Sequence, residues 1–229
     1  MKLRAFHGNG LKPAVLKRAL VREMEKHRRQ DQIIKGTYGK MNGEWKGCAV
    51  GCSIHSLNAL QGKDRETSKH SVFEEIGIPQ SLAHLQDQIF ESLPIGKNSR
   101  FAVDFWKAIR PGVDLSKVTA KFLVWTLLDK KHGAIRQAPA DKFKDCHDAI
   151  LACALLWQNY LKIGKFDESA AWSAESAARS AESAARSAAS AAWSAESAAS
   201  AVRSAAWSAA RSDFWKAASV TLLKLLAKA

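Results

Sequence analysis

The stretch KGCAVGCSIH sets Cys48, Cys52 and His55 close together, and two kinds of chemistry fit those residues. The first is metal binding: two thiolates and an imidazole are zinc donors, and His70 offers a fourth. The C-x3-C-x2-H spacing, with no clean second pair, departs from the usual finger patterns, so no metal is expected and Cys48, Cys52 and His55 stand only as candidates. The second is nucleophilic catalysis. Cys48 follows a glycine at a possible helix start, where the dipole lowers a thiol pKa, and His70, His132 or His147 could act as base. That arrangement needs a third, orienting group, which the sequence does not place. Cys48 and His70 are therefore candidates and no catalytic residue is assigned. The residues favour a plainer reading, in which GCAVGC is a small-residue stretch packed beneath a hairpin with its cysteines in the core.

The same region admits phosphate binding. Gly36, Gly39, Gly43, Gly47 and Gly51 alternate with Lys35, Lys40 and Lys46, and Tyr38 and Trp45 stand among them. Backbone N–H groups, ammonium groups and aromatic faces are what a nucleotide or a single strand needs. Neither a P-loop nor a dinucleotide fingerprint occurs. Lys35, Tyr38, Lys40, Trp45 and Lys46 are the expected ligand-binding residues. The alternative is an ordinary glycine-rich hairpin.

Charge supports an anionic partner. The chain has 229 residues and a net charge of +13, from 35 Lys+Arg against 22 Asp+Glu. The first 35 residues alone hold ten basic against three acidic side chains. Such an excess favours nucleic acid, nucleotides or an anionic membrane face, or serves solubility. MKLRAFHGNG lacks the apolar core of a secretion signal, and no window reaches the length of a spanning helix. A cytoplasmic protein with reduced thiols, no membrane span and no cofactor is expected.

The elements that would carry these residues are mainly helical. MKLRAF alternates like a short strand. Pro13 opens a helix running to about Asp31, with Val15, Leu16, Leu20, Val21 and Met24 sharing its apolar face. Asn42-Gly43 is a hairpin signal between GTYGK and EWKG. Further on, PQSLAHLQDQIFESL places Leu82, Leu85, Ile89 and Leu93 on one stripe, and helical patterns continue to Tyr160. The expected fold class is mainly α, with a small N-terminal α+β portion. Residues 1–165 form the basic, mostly helical domain, and residues 166–229 a long helix with an amphipathic tail.

That long helix rests on a repeat. Residues 169–212 are written almost wholly in Ala, Ser, Arg, Glu and Trp, without Gly or Pro. Ser176, Ser183 and Ser190 are seven apart, and Ser180 and Ser187 hold a second heptad position, which predicts a helix with a seam. Its side chains are too small for a core of its own. Ser176, Ser180, Ser183, Ser187 and Ser190 are the expected seam of a homo-oligomer, or the face on which the helix packs within its own chain.

GTYGKMNGEWKGCAVGCSIHS, IGIPQSLAHLQDQIFESLP, GVDLSKVTAKFL and the SAAWSAESAARSA repeat together resemble uncharacterised proteins encoded in bacteriophage and prophage genomes. The resemblance covers nearly the whole chain and carries no catalytic residues. It implies an accessory protein acting inside a bacterial host cell, with counter-defence among the plausible roles. The expected function is capture of a phosphate-bearing ligand, a nucleotide signal or nucleic acid, by an oligomer. The alternatives are an inhibitor of a host protein and a Cys48-centred cysteine or zinc enzyme.

Overall fold

The protein is described by a computed structural model covering residues 4–7, 10–42, 44–165 and 200–229. It is mainly α with one small β-hairpin. In chain order the elements are α1 (Pro13–Arg29), β1 (Lys40–Asn42), β2 (Glu44–Lys46), α2 (Ala49–Gln61), a 3-10 segment (His70–Ile76), α3 (Gln80–Ser92), α4 (Lys97–Ala108), α5 (Val118–Leu128), a second 3-10 segment (Ala134–Gln137), α6 (Lys144–Ile163) and α7 (Ser200–Lys228). The chain divides into two compact units, residues 1–119 with 215–229, and residues 120–214. Residues 215–229 belong to the first unit, and Ala218, Leu222 and Leu226 of that tail are fully buried.

In the first unit, α1 begins at Pro13, whose missing N–H is no loss in a first turn. Leu16, Leu20, Met24 and His27 recur at helical spacing and are buried. α2 lies deepest. Ala49 to Ile54 are all buried, and Gly62 closes the helix in the left-handed conformation at φ 60°. α1 packs against α2 and α4, and α3 against α2 and α4. Trp106 of α4 sits at the centre, fully buried, with Phe6, Phe73 and Phe105 around it at centroid distances of 6.1, 5.0 and 5.3 Å. Its indole N–H donates to Ser53 Oγ at 2.9 Å, so the one polar atom of this ring is satisfied inside the core.

Residues 4–7, at the end of the alternating stretch, run as a turn and not as a strand. Ala5 and Phe6 are both buried, which no one-sided strand allows, and Phe6 takes φ 65° while its N–H donates to Ile76. β1 and β2 pair antiparallel, with Lys40 opposite Lys46, Met41 opposite Trp45 and Asn42 opposite Glu44.

In the second unit, Trp125 of α5 stacks on Phe214 at 5.9 Å and lies near His132 at 6.3 Å. Asp129 Oδ1 accepts from the N–H groups of Lys131 and His132, folding the turn after α5. Cys146 and Cys153 of α6 are half-buried. The stretch 200–212 of the expected repeat helix is helical. The seam residues Ser176, Ser180, Ser183, Ser187 and Ser190 lie outside the described residues. No described helix is long and apolar enough to cross a membrane.

Candidate functional site

Cys48 is the N-cap of α2, and its sulfur accepts from the Gly51 N–H at 3.4 Å. The segment before the hairpin is strapped over this helix start: Cys48 N–H donates to Thr37 O at 2.6 Å, and the Tyr38 carbonyl lies on Gly51. A Cβ on Gly51 would stand 1.9 Å from that carbonyl oxygen, so only glycine fits. Gly39, at φ 150°, is covered in the same way by the Trp45 ring. Gly39, Gly47 and Gly51 therefore bring backbone close to backbone and ring.

The strap carries Tyr38 to α3. Its hydroxyl donates to Asp87 Oδ2 at 2.9 Å. His70, at the start of the first 3-10 segment, places Nε2 3.3 Å from the same oxygen and Nδ1 3.1 Å from Ser68 O. The His70 ring meets Tyr38 edge-on at 5.6 Å and stacks on His84 at 4.2 Å. Asp87 Oδ1 is closed off from solvent with no hydrogen-bond partner. An unmet buried acceptor of this kind costs about 1–3 kcal/mol. One turn on, Glu91 Oε1 accepts from Gly36 N–H at 3.1 Å. Cys48 Sγ and one oxygen from each of Asp87 and Glu91 lie within 4.8 Å of one another. This is the one cluster of three such donors among the described residues.

The electrostatics of this cluster decide between the chemistries open to Cys48. Burial pushes its thiol up to about 12, and the Asp87 carboxylate adds to the rise, while the Gly51 N–H opposes it. The helix start is thus outweighed by desolvation and a neighbouring acid. Burial and the bond to Asp87 likewise raise the Tyr38 phenol to about 12. Cys48 is 1% exposed and a thiol at neutral pH. His70 engages the carboxylate. A resting thiolate nucleophile does not fit this arrangement.

The remaining expected residues are placed as follows. Cys52 is fully buried, its thiol directed at the Gly47 carbonyl 3.3 Å away, and burial raises it to about 12 as well. His55 lies flat on Trp45 at 4.1 Å and packs against His27 of α1 at 5.7 Å. Cys48, Cys52 and His55 do not converge. Lys35 gives its ammonium to the carbonyls of Glu91 (2.7 Å) and Leu93 (2.5 Å), where a cation suits the C-terminus of α3. Lys40 and Lys46 face each other across the hairpin, one exposed and one half-buried. Tyr38 keeps 38% of its surface exposed.

Sequence reasoning passed over one pair of residues and read a second group only as an excess of charge. Asp87 and Glu91 are four apart on α3, a spacing that puts two carboxylates on one face, and this was the available signal. On α1, Arg18, Arg22, Lys26 and Arg29 are all exposed and recur every three or four residues. Arg22, Lys26 and Arg29 line one shallow groove with Glu25 and Gln30. The acid in that groove is committed: Glu25 accepts from Lys107 at 2.5 Å and Arg28 at 3.0 Å, and these cations hold its carboxyl below its ordinary value. Comparison with known proteins found no matching family model, no matching curated protein and no matching solved structure.

Proposed function

We propose that the protein captures a phosphate-bearing ligand, and that this ligand is a nucleic-acid strand lying along α1 and the hairpin. The observation that carries the reading is the hairpin register. Lys40 stands directly opposite Lys46, and among the described residues no carboxylate pairs with either. Like charges directly opposite are destabilising, and an anion between them removes the penalty. The row Trp45–His55–His27 joins the hairpin to the C-terminal end of α1, where the cationic stripe ends. From Arg18 to Arg29 that stripe spans about 16 Å, a length that suits an extended polyanion better than a single nucleotide. Compared with the sequence-based site, Lys40, Lys46 and Tyr38 stay in this reading. Lys35 and Trp45 leave it, because other groups of the fold already use them.

Within this proposal the repeat joins copies of the chain, and the setting is a phage-type accessory protein in a bacterial cell, with counter-defence as its role. Calorimetric titration of the full chain with a short single-stranded oligonucleotide, a duplex and mononucleotides tests the core of it. Heat and saturation with an oligonucleotide are expected. Saturation by mononucleotides alone would replace the strand with a nucleotide signal. Absence of binding by all three would sink phosphate capture and leave a host-protein target as the better reading.

A further inference from the structure

Three donor groups of different hardness meet at the junction of α2 and α3. Cys48 brings sulfur from the N-cap of α2, and Asp87 and Glu91 bring oxygen from adjacent turns of α3, with all three donor atoms within 4.8 Å of one another. Each carboxylate has one oxygen already held by the protein. Tyr38 and His70 fix Asp87 Oδ2, and Gly36 fixes Glu91 Oε1. Asp87 Oδ1 is left shut away from water without a partner. That combination differs from a patch of surface acids: the donors come from two helices, one is a fully buried thiol, and one oxygen is buried with its hydrogen-bonding capacity unused.

We propose that Cys48, Asp87 and Glu91 hold a divalent transition-metal ion of the zinc class, with Tyr38 and His70 orienting Asp87 from behind. Thiolate with carboxylate oxygen selects zinc-like ions over magnesium or calcium, which take oxygen alone. Zinc bonds of about 2.0–2.3 Å put neighbouring tetrahedral ligands about 3.3–3.8 Å apart, so no pair of the three atoms needs to close by more than about 1.5 Å. Three protein donors leave a fourth position for water, the arrangement of ligand-accepting rather than closed structural sites. Asp87 keeps 18% of its side chain exposed, which gives the ion its way in. On binding, the Cys48 S–H bond breaks, the sulfur–metal bond forms and the proton leaves to solvent. Ligating carboxylates are commonly hydrogen-bonded in turn, as Asp87 is by Tyr38 and His70.

Cobalt titration of the chelator-stripped, full-length protein tests this. The expected result is one equivalent bound per chain, with a thiolate-to-cobalt charge-transfer band in the near ultraviolet that zinc abolishes by displacement. Cys48→Ser removes the band, Cys52→Ser leaves it, and Glu91→Gln weakens binding at least tenfold. Tyr38→Phe, which touches only the support of Asp87, weakens it about 10- to 100-fold. Cobalt binding without a thiolate band, no binding, or a band lost in Cys52→Ser and kept in Cys48→Ser would each overturn the assignment. If Cys48→Ser fails to fold by circular dichroism, Glu91→Gln decides alone, because Glu91 is only half-buried on α3. Unchanged cobalt affinity in that variant contradicts the site.

Discussion

The Tyr38 hydroxyl donates to Asp87 Oδ2 at 2.9 Å and so pins the strap before the hairpin to α3. The bond couples a residue whose ring is partly exposed to a carboxylate that also receives His70. Tyr38→Phe keeps the ring and deletes only the donor. It should lower stability by about 1–2 kcal/mol, the range for a hydrogen bond to a charged acceptor that solvent partly replaces, read as a shifted denaturation midpoint with unchanged slope. An unshifted midpoint would mean that the bond does not hold the strap.

Gly51→Ala should be far worse than a routine glycine replacement. The new methyl would stand 1.9 Å from the Tyr38 carbonyl oxygen, so strap and helix must separate, at a cost of about 3 kcal/mol or more. Gly62→Ala is the control. It has φ 60° and open space around it, so its cost is conformational only, about 1–2 kcal/mol. Equal melting temperatures for the two variants would contradict the close approach at Gly51.

Alkali should destabilise the protein through its buried thiols. Cys48 and Cys52 are both raised to about 12 in the fold, against an ordinary value of about 8.5 in the unfolded chain. Between those values the folded state holds more protons than the unfolded one, so stability is whole below about pH 8.5 and falls as pH rises toward 12. The limiting slope is about 1.4 kcal/mol per pH unit for each thiol. Denaturation with chelator and reductant present at pH 8 and pH 10 measures it. The double variant Cys48→Ser with Cys52→Ser should flatten the profile, and an unflattened profile would assign the loss to other groups.

Lys35→Met separates the two uses that a lysine in this stretch can have. Its ammonium binds the Glu91 and Leu93 carbonyls, so its loss should cost about 1–2 kcal/mol of stability and leave oligonucleotide affinity within about twofold. A stable variant with lost affinity would return Lys35 to the binding face.

These cases show where the sequence was legible. Pro13 and the spacing of Leu16, Leu20 and Met24 define α1, because one buried face of a helix repeats at a fixed period. The hairpin signal between GTYGK and EWKG is local to the backbone, and Lys40–Asn42 and Glu44–Lys46 pair there. Local pattern misreads residues 4–7: Ala5 and Phe6 are both buried by distant partners at Ile76 and Val113, and an alternating pattern cannot show that. The Cys48, Asp87 and Glu91 cluster was hidden for the same reason. Its members are set together by the packing of α2 on α3, while Cys52 and His55, near in sequence, turn to Gly47 and Trp45. The use of Lys35 also depends on neighbours far along the chain.

Nucleic-acid capture by the basic face is tested most directly by the salt dependence of oligonucleotide binding, followed by fluorescence anisotropy. Affinity of the full chain should fall steeply with salt, linearly on logarithmic axes. Arg22→Glu and Lys40→Glu, both at exposed positions, should each weaken binding and make the slope shallower by about one or more. Affinity that ignores salt, or slopes identical to the parent in both variants, would contradict the account.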